Sequence, residues 1–189
     1  MKILMLGNSY TFFNDLPSKL GELTGAEVSR NLRGGAALWQ QLDPNDELGR
    51  KGMELLTGNK WDYVVLQEHS RGTFEHPDKF FEAGKKLCEL ARQSGAVPVF
   101  YATWAYQRGG KMITGMGLDH DEMFRAIEVA YQKAAKDNTA LIAPVGRAFY
   151  TNADPDSLFD PDGSHPSPKG TQLAAEIIAR VIMDNESKK

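Results

Sequence analysis

Three short apolar runs constrain this chain most: Ile3-Leu4-Met5-Leu6, Tyr63-Val64-Val65-Leu66 and Val97-Pro98-Val99-Phe100-Tyr101. Side chains alternate between the two faces of a strand, so a strand that is apolar at consecutive positions must be covered on both. That is the situation of a central strand in a parallel sheet. The intervening segments supply the covers. Pro77 to Gln93 places Phe80, Phe81, Gly84, Leu87, Cys88 and Ala91 on one helical stripe, and Asp121 to Lys136 does the same with Met123, Ile127, Ala130 and Ala134. A helix starts at Asn14-Asp15 before Pro17, buries Leu16, Leu20 and Leu23, and stops at Gly25; another spans about Asp46 to Leu56. Ser167-Pro168 reads as the cap and first position of a last helix carrying Leu173, Ile177, Val181 and Ile182. Ala26 to Leu32 alternates as a half-covered edge strand would, and Ala140 to Ala143 is a short fifth strand. Strands alternating with helices in this way predict a three-layer α/β/α domain with right-handed crossovers.

In such sheets ligands bind outside the carboxyl ends of the strands, and polar residues crowd those ends here. The first run leads into Gly7-Asn8-Ser9-Tyr10-Thr11, which sets the Ser9 hydroxyl on a turn, and the central run leads into Gln67-Glu68-His69-Ser70. Near the other end of the chain, Asp162-Gly163-Ser164-His165-Pro166 offers a carboxylate and an imidazole three residues apart. A serine after a strand is usually a turn former, and Asp-x-x-His alone is a weak signal. Together they are the three groups that base-assisted attack by a hydroxyl requires. The Gly-x-Ser-x-Gly elbow of the α/β-hydrolases is absent, because Tyr10-Thr11 breaks it.

Gly7-Asn8-Ser9-Tyr10-Thr11 and Asp162-Gly163-Ser164-His165-Pro166 resemble the first and last motif blocks of the SGNH (GDSL-like) hydrolases. The resemblance implies a flavodoxin-like parallel sheet of five strands in the order 2-1-3-4-5, with the loops after strands 1 and 3 flanking the ligand crevice. It also implies a serine esterase: Ser9 attacks, His165 moves the proton, Asp162 orients the imidazole, and water clears an acyl-serine. For the oxyanion it implies the backbone N–H of Ser9 and that of Gly35, or of its neighbour Gly34, after strand 2. The family's third block, Gly-x-Asn-Asp, is missing. Gln67 stands at that place, and its amide is the expected substitute for the asparagine; His69 and Arg71 compete with it. The implied partner is a small-molecule ester, most plausibly the acetyl ester of a carbohydrate, with no cofactor. A weakly catalytic ligand-binding relative and an acyltransferase with the same triad are the alternatives.

Composition excludes other classes. The chain has 189 residues, 41% of them hydrophobic and 25% charged, which suits one domain. Its net charge of -3, with scattered basic residues, gives no footprint for nucleic acid. No apolar stretch has membrane-spanning length and the N-terminus has no h-region, so a soluble, cytoplasmic protein is expected. The lone cysteine, Cys88, excludes an intramolecular disulfide. His69, His76 and Glu68 match no standard metal-ligand spacing, so no metal is expected. Gln107 to Leu118 holds Gly109, Gly110, Gly115 and Gly117 and reads as a lid loop. Trp104 and Tyr106, at the end of strand 4, are expected as pocket rim or core. The sequence leaves the oligomeric state open.

Overall fold

The computed structural model describes every residue from Met1 to Lys189. Five strands, β1 (Lys2–Gly7), β2 (Glu27–Leu32), β3 (Tyr63–Leu66), β4 (Val97–Tyr101) and β5 (Leu141–Ala143), form one parallel sheet in the order β2-β1-β3-β4-β5. The helices are α1 (Ser9–Phe12), α2 (Leu16–Thr24), α3 (Glu47–Gly58), α4 (Gly72–Glu75), α5 (Pro77–Gln93), α6 (Lys111–Gly115), α7 (His120–Asp137), α8 (Val145–Tyr150) and α9 (Pro168–Glu186). No helix is long and apolar enough to cross a membrane.

The alternation within each central strand decides what it packs against. Leu4 and Leu6 of β1, Val64 and Leu66 of β3, and Phe100 of β4 join a core cluster with Phe80 and Leu87 of α5 and Ile127 and Tyr131 of α7. Their neighbours Ile3, Met5, Tyr63, Val65, Val99 and Tyr101 turn to the other face, against Leu16 and Leu20 of α2, Phe149 of α8 and Ile178 of α9. Both faces are therefore covered, which is why these strands are apolar throughout. Parallel direction puts all five carboxyl ends on one edge, where Ser9, the Gly34-Gly35 turn, Gln67 and Trp104 follow their strands.

Several helical details differ from the sequence reading. Asn14 and Asp15 do not begin an ordinary helix turn; both sit at positive φ, 50° and 54°. On α9 the buried stripe runs through Ala174, Ala175, Ile178 and Ile182, whereas Leu173, Ile177 and Val181 are only partly buried. Small alanines let the helix lie close, and the larger side chains flank the contact. Leu23 on α2 is 43% exposed. The stretch from Gln107 to Leu118 is no free flap, since it contains α6 and plants Ile113 in the core.

Helix α8 was not legible in the sequence and it fixes the end of β4. Gly146 N–H donates to the Ala102 carbonyl at 2.9 Å, and a Cβ added at Gly146 would stand 1.9 Å from the Thr103 carbonyl oxygen. Only backbone movement could relieve that clash, so Gly146→Ala should lower unfolding free energy by about 3 kcal/mol. Urea denaturation checks this, and a loss below about 0.5 kcal/mol would contradict the close packing.

Candidate active site

The nucleophile turn is built by Asn8. It caps α1 by accepting the Tyr10 N–H on Oδ1 at 3.1 Å, and its Nδ2 donates to the Ala36 carbonyl at 2.8 Å. Its own N–H donates to Gln67 Oε1 at 2.9 Å. A buried asparagine with every group spent is a strong local constraint, and the next residue is Ser9. Gln67 braces the same turn. Its Oε1 also accepts the Thr11 hydroxyl at 2.8 Å, while its Nε2 donates to the Glu68 carbonyl at 2.5 Å.

The second part is the loop before α9. His165 Nε2 lies 2.9 Å from Ser9 Oγ, and His165 Nδ1 lies 2.5 Å from Asp162 Oδ2. The other carboxylate oxygen of Asp162 accepts the N–H groups of Ser164 and His165 at 2.8 and 2.9 Å. Burial pushes the Asp162 carboxyl up, but the bonds from the His165 side chain and these N–H groups outweigh it and hold the carboxyl below its ordinary range. The hydroxyl, imidazole and carboxylate are thus in serial hydrogen-bond reach, the arrangement that lets an imidazole take a hydroxyl proton.

Four neighbours pin that loop by hydrogen bonds and a fifth by stacking. Asn14 Nδ2 donates to the Pro166 carbonyl and to Thr171 Oγ1, each at 2.9 Å. Trp104 Nε1 donates to the Ser164 carbonyl at 3.0 Å, and Ser164 Oγ shares a 2.7 Å bond with the Tyr10 hydroxyl. Gln107 N–H donates to the Gly163 carbonyl at 2.8 Å. Phe13 stacks on the His165 ring with centroids 4.1 Å apart. Behind it Trp104, buried, is sandwiched between Tyr10 and Phe149 at 4.7 and 4.1 Å. Trp104 and Tyr106 are core residues at this edge.

The third part is the Gly34-Gly35 turn after β2. The Ala36 N–H closes on the Arg33 carbonyl, and Gly35 has φ 69° while Gly34 does not share the positive φ, which is the type II pattern that favours glycine in its third place. Neither the N–H of Gly35 nor that of Ser9 is used by the hydrogen bonds of turns, loops and caps. Beside Gly35 opens a cavity of about 200 Å³ whose wall includes Trp39, Gln40, Glu68, His69, Arg71 and His76. Arg71 pairs with Glu75 at 3.0 Å, and burial followed by the Arg71 charge pushes the His69 imidazole below its ordinary range.

The structure therefore brings Ser9, Asp162 and His165 together, and the bond from Asn8 to the Ala36 carbonyl ties the Gly34-Gly35 turn to the nucleophile turn. Gln67 is placed differently from its expected role: its amide is engaged in bracing the Asn8 turn. Asn8, Phe13, Asn14 and Glu68 were not singled out from sequence as site residues. Asn8 had a readable signal, since asparagine is a favoured N-cap. Asn14 had a weaker one, as a residue that tolerates the left-handed region.

No family profile and no curated protein matches this chain. A solved protein from Slackia heliotrinireducens assigned to the SGNH hydrolases is 40% identical, with a TM-score of 0.92 over 96% of this chain and 98% of that one. A DUF4886 family protein from Bacteroides uniformis superposes with a TM-score of 0.70 at 22% identity, over 97% of this chain and 83% of that one. A protein of the G-D-S-L lipolytic family from Desulfitobacterium hafniense gives 0.68 at 18% identity, over 95% and 98%. The latter two share the fold; the first shows the family. The chain belongs to the SGNH hydrolases.

One group at this edge is costly. Glu68 is 1% exposed and no cation pairs with it, and burial pushes its carboxyl up from 4.5 to about 7, against the opposing bonds from the His69 and Leu38 N–H groups. A folded-state value above the unfolded one means that the native state holds the proton more tightly. The associated stability is fully present below about pH 4.5 and is lost as pH rises through about 7. Glu68→Gln removes this titration. Its stability relative to wild type should improve by roughly 2–3 kcal/mol between about pH 5 and 8.5. Parallel denaturant titrations at the two pH values measure it; a pH-independent difference would contradict an ionisable, strained Glu68.

Proposed function

We propose that the enzyme releases a short acyl group, acetyl in the first instance, from an ester of a carbohydrate or similar small polar alcohol, through an acyl-Ser9 intermediate. The observation that carries this reading is the 2.9 Å approach of His165 Nε2 to Ser9 Oγ, with Asp162 2.5 Å behind the ring. In the first half-reaction His165 takes the Ser9 proton as Oγ attacks the ester carbonyl, then gives it to the departing alcohol oxygen as the C–O bond breaks. In the second, His165 takes a proton from water, the hydroxide oxygen attacks the acyl carbon, and the proton returns to Ser9 as the acid leaves. Asp162 holds the imidazole and stabilises its cationic form.

The developing oxyanion needs donors that are not already spent. The backbone N–H groups of Ser9 and Gly35 are such donors. Gln67 holds the Asn8-Ser9 turn through Oε1, and its Nε2 is bonded to the Glu68 carbonyl, so the oxyanion is assigned to the two backbone donors. A short acyl group is proposed because the cavity on the Gly35 side, about 200 Å³, is walled mainly by polar side chains, although Ser9 and His165 are not part of that wall.

Two results are expected. Ser9→Ala and His165→Ala should each lower kcat for p-nitrophenyl acetate on the order of 10³-fold or more, with Asp162→Asn falling less, while circular dichroism stays unchanged. Wild-type turnover should drop from acetate to octanoate. Full activity in Ser9→Ala, or a preference for octanoate, would overturn the reading. Separately, Gly35→Ala forces a side chain onto a residue at φ 69° and should turn its peptide away from the oxyanion. A kcat loss of about 10²–10³ with little change in KM is expected in steady-state kinetics. A normal kcat would remove Gly35 from the oxyanion site.

A further inference from the structure

Glu68 is the one buried ionisable carboxylate at the active-site edge that the proposed chemistry leaves unused. Its two oxygens hold different loops. Oε1 accepts the His69 N–H at 2.6 Å, on the loop after β3, and Oε2 accepts the Leu38 N–H at 3.1 Å, on the loop after β2. Its own N–H is fixed to the Tyr131 hydroxyl of α7 at 3.0 Å, which anchors it to the core. The loop it reaches carries Gly35 three residues before Leu38. That loop is otherwise tied by Asn8 at the Ala36 carbonyl and by Gln40 Oε1 at the Ala37 N–H, 3.0 Å. Glu68 closes the set and spans the gap between the β2 and β3 loops.

We infer that Glu68 is a positioning residue: its ionised carboxylate clamps the loop after β2 and so keeps the Gly35 N–H aimed at the oxyanion. The inference rests on the proposed esterase mechanism and goes beyond it. A carboxylate suits the task because it is acceptor-only and can take an N–H on each oxygen; a protonated acid must present an O–H toward one of the same two donors and loses that bond. Burial without a cation explains why the proton is held to about pH 7, so the clamp weakens within the neutral range. The other ionisable groups around it are His69, Arg71, Glu75 and His76 on its own loop and on α4, and Tyr131 on α7. Lys79 of α5 lies over the Trp39 ring at 4.8 Å. Arg71 is occupied by Glu75, so none of the cations neutralises Glu68.

The test is the pH profile of kcat/KM for an acetyl ester with wild type, Glu68→Gln and Glu68→Asp. Wild type requires an ionised Glu68, so its acid limb should be steeper than that of Glu68→Gln by one proton. At pH 8 Glu68→Gln should lower kcat about ten- to a hundredfold, with KM within about twofold. Glu68→Asp, shorter by a methylene, should lose kcat as well but keep the steeper limb. A Glu68→Gln enzyme with normal kcat and an unchanged slope overturns the inference, as does unfolding of both variants, which would make Glu68 structural. A wild type that hydrolyses no ester defeats the proposed function and this inference with it.

Discussion

The contact between Ser9 and His165 is the constraint that the surrounding structure serves, and it is held by everything except itself. A hydrogen bond of 2.9 Å between a hydroxyl and an imidazole contributes on the order of 1 kcal/mol, far too little to bring together two loops from opposite ends of the chain. The geometry is imposed instead by elements that have their own reasons to be there. Strand β1 delivers Ser9 because β1 is buried between β2 and β3, and Asn8 and Gln67 fix the turn. The His165 loop leads into α9, whose alanine face is buried in the core shared with α2, and is fastened by Asn14, Tyr10, Trp104 and Gln107.

That fastening carries local strain. Asn14 and Asp15 both occupy the left-handed region, which L-residues enter at a cost of about 1–2 kcal/mol each. The return is visible at Asn14, whose amide then reaches both the Pro166 carbonyl and Thr171 across the crevice. Glu68 shows the same pattern in electrostatics. A buried carboxylate without a cation opposes folding at neutral pH, yet it is the group that joins the loops after β2 and β3. Two of the three non-glycine residues at positive φ, together with Glu68, thus serve the carboxyl edge of the sheet, while the third, Thr139, lies ahead of β5 at the other edge.

The sheet was legible in the sequence because its cause is local. Continuous apolar runs at β1, β3 and β4 report burial on both faces, and turn residues mark where each strand stops. The motif residues Ser9, Asp162 and His165 could be named by type and order, and Gly35 by its place after β2. What escaped was set by partners distant in sequence. Nothing near Asn14 announces that it will bond Pro166, and nothing near Glu68 tells which backbone N–H groups will meet its oxygens. On α9 the sequence marks Ile182 correctly but not Ala174 and Ala175, because small residues that allow close packing carry no hydrophobic signal of their own. Helix α8 is too short for periodicity to reveal it. The amide of Gln67 was read by its capacity to donate, but its surroundings engage it as a brace.

The central claim is that Ser9 is a nucleophile activated by His165. The most direct measurement is to treat the enzyme with an organophosphate that carries a p-nitrophenolate leaving group, digest it, and locate the phosphoryl adduct by tandem mass spectrometry. The account predicts one adduct, on Ser9, formed in step with p-nitrophenolate release and suppressed when His165 is replaced by alanine. An unmodified Ser9, an adduct on another residue, or labelling of Ser9 that proceeds equally fast without His165 would contradict it.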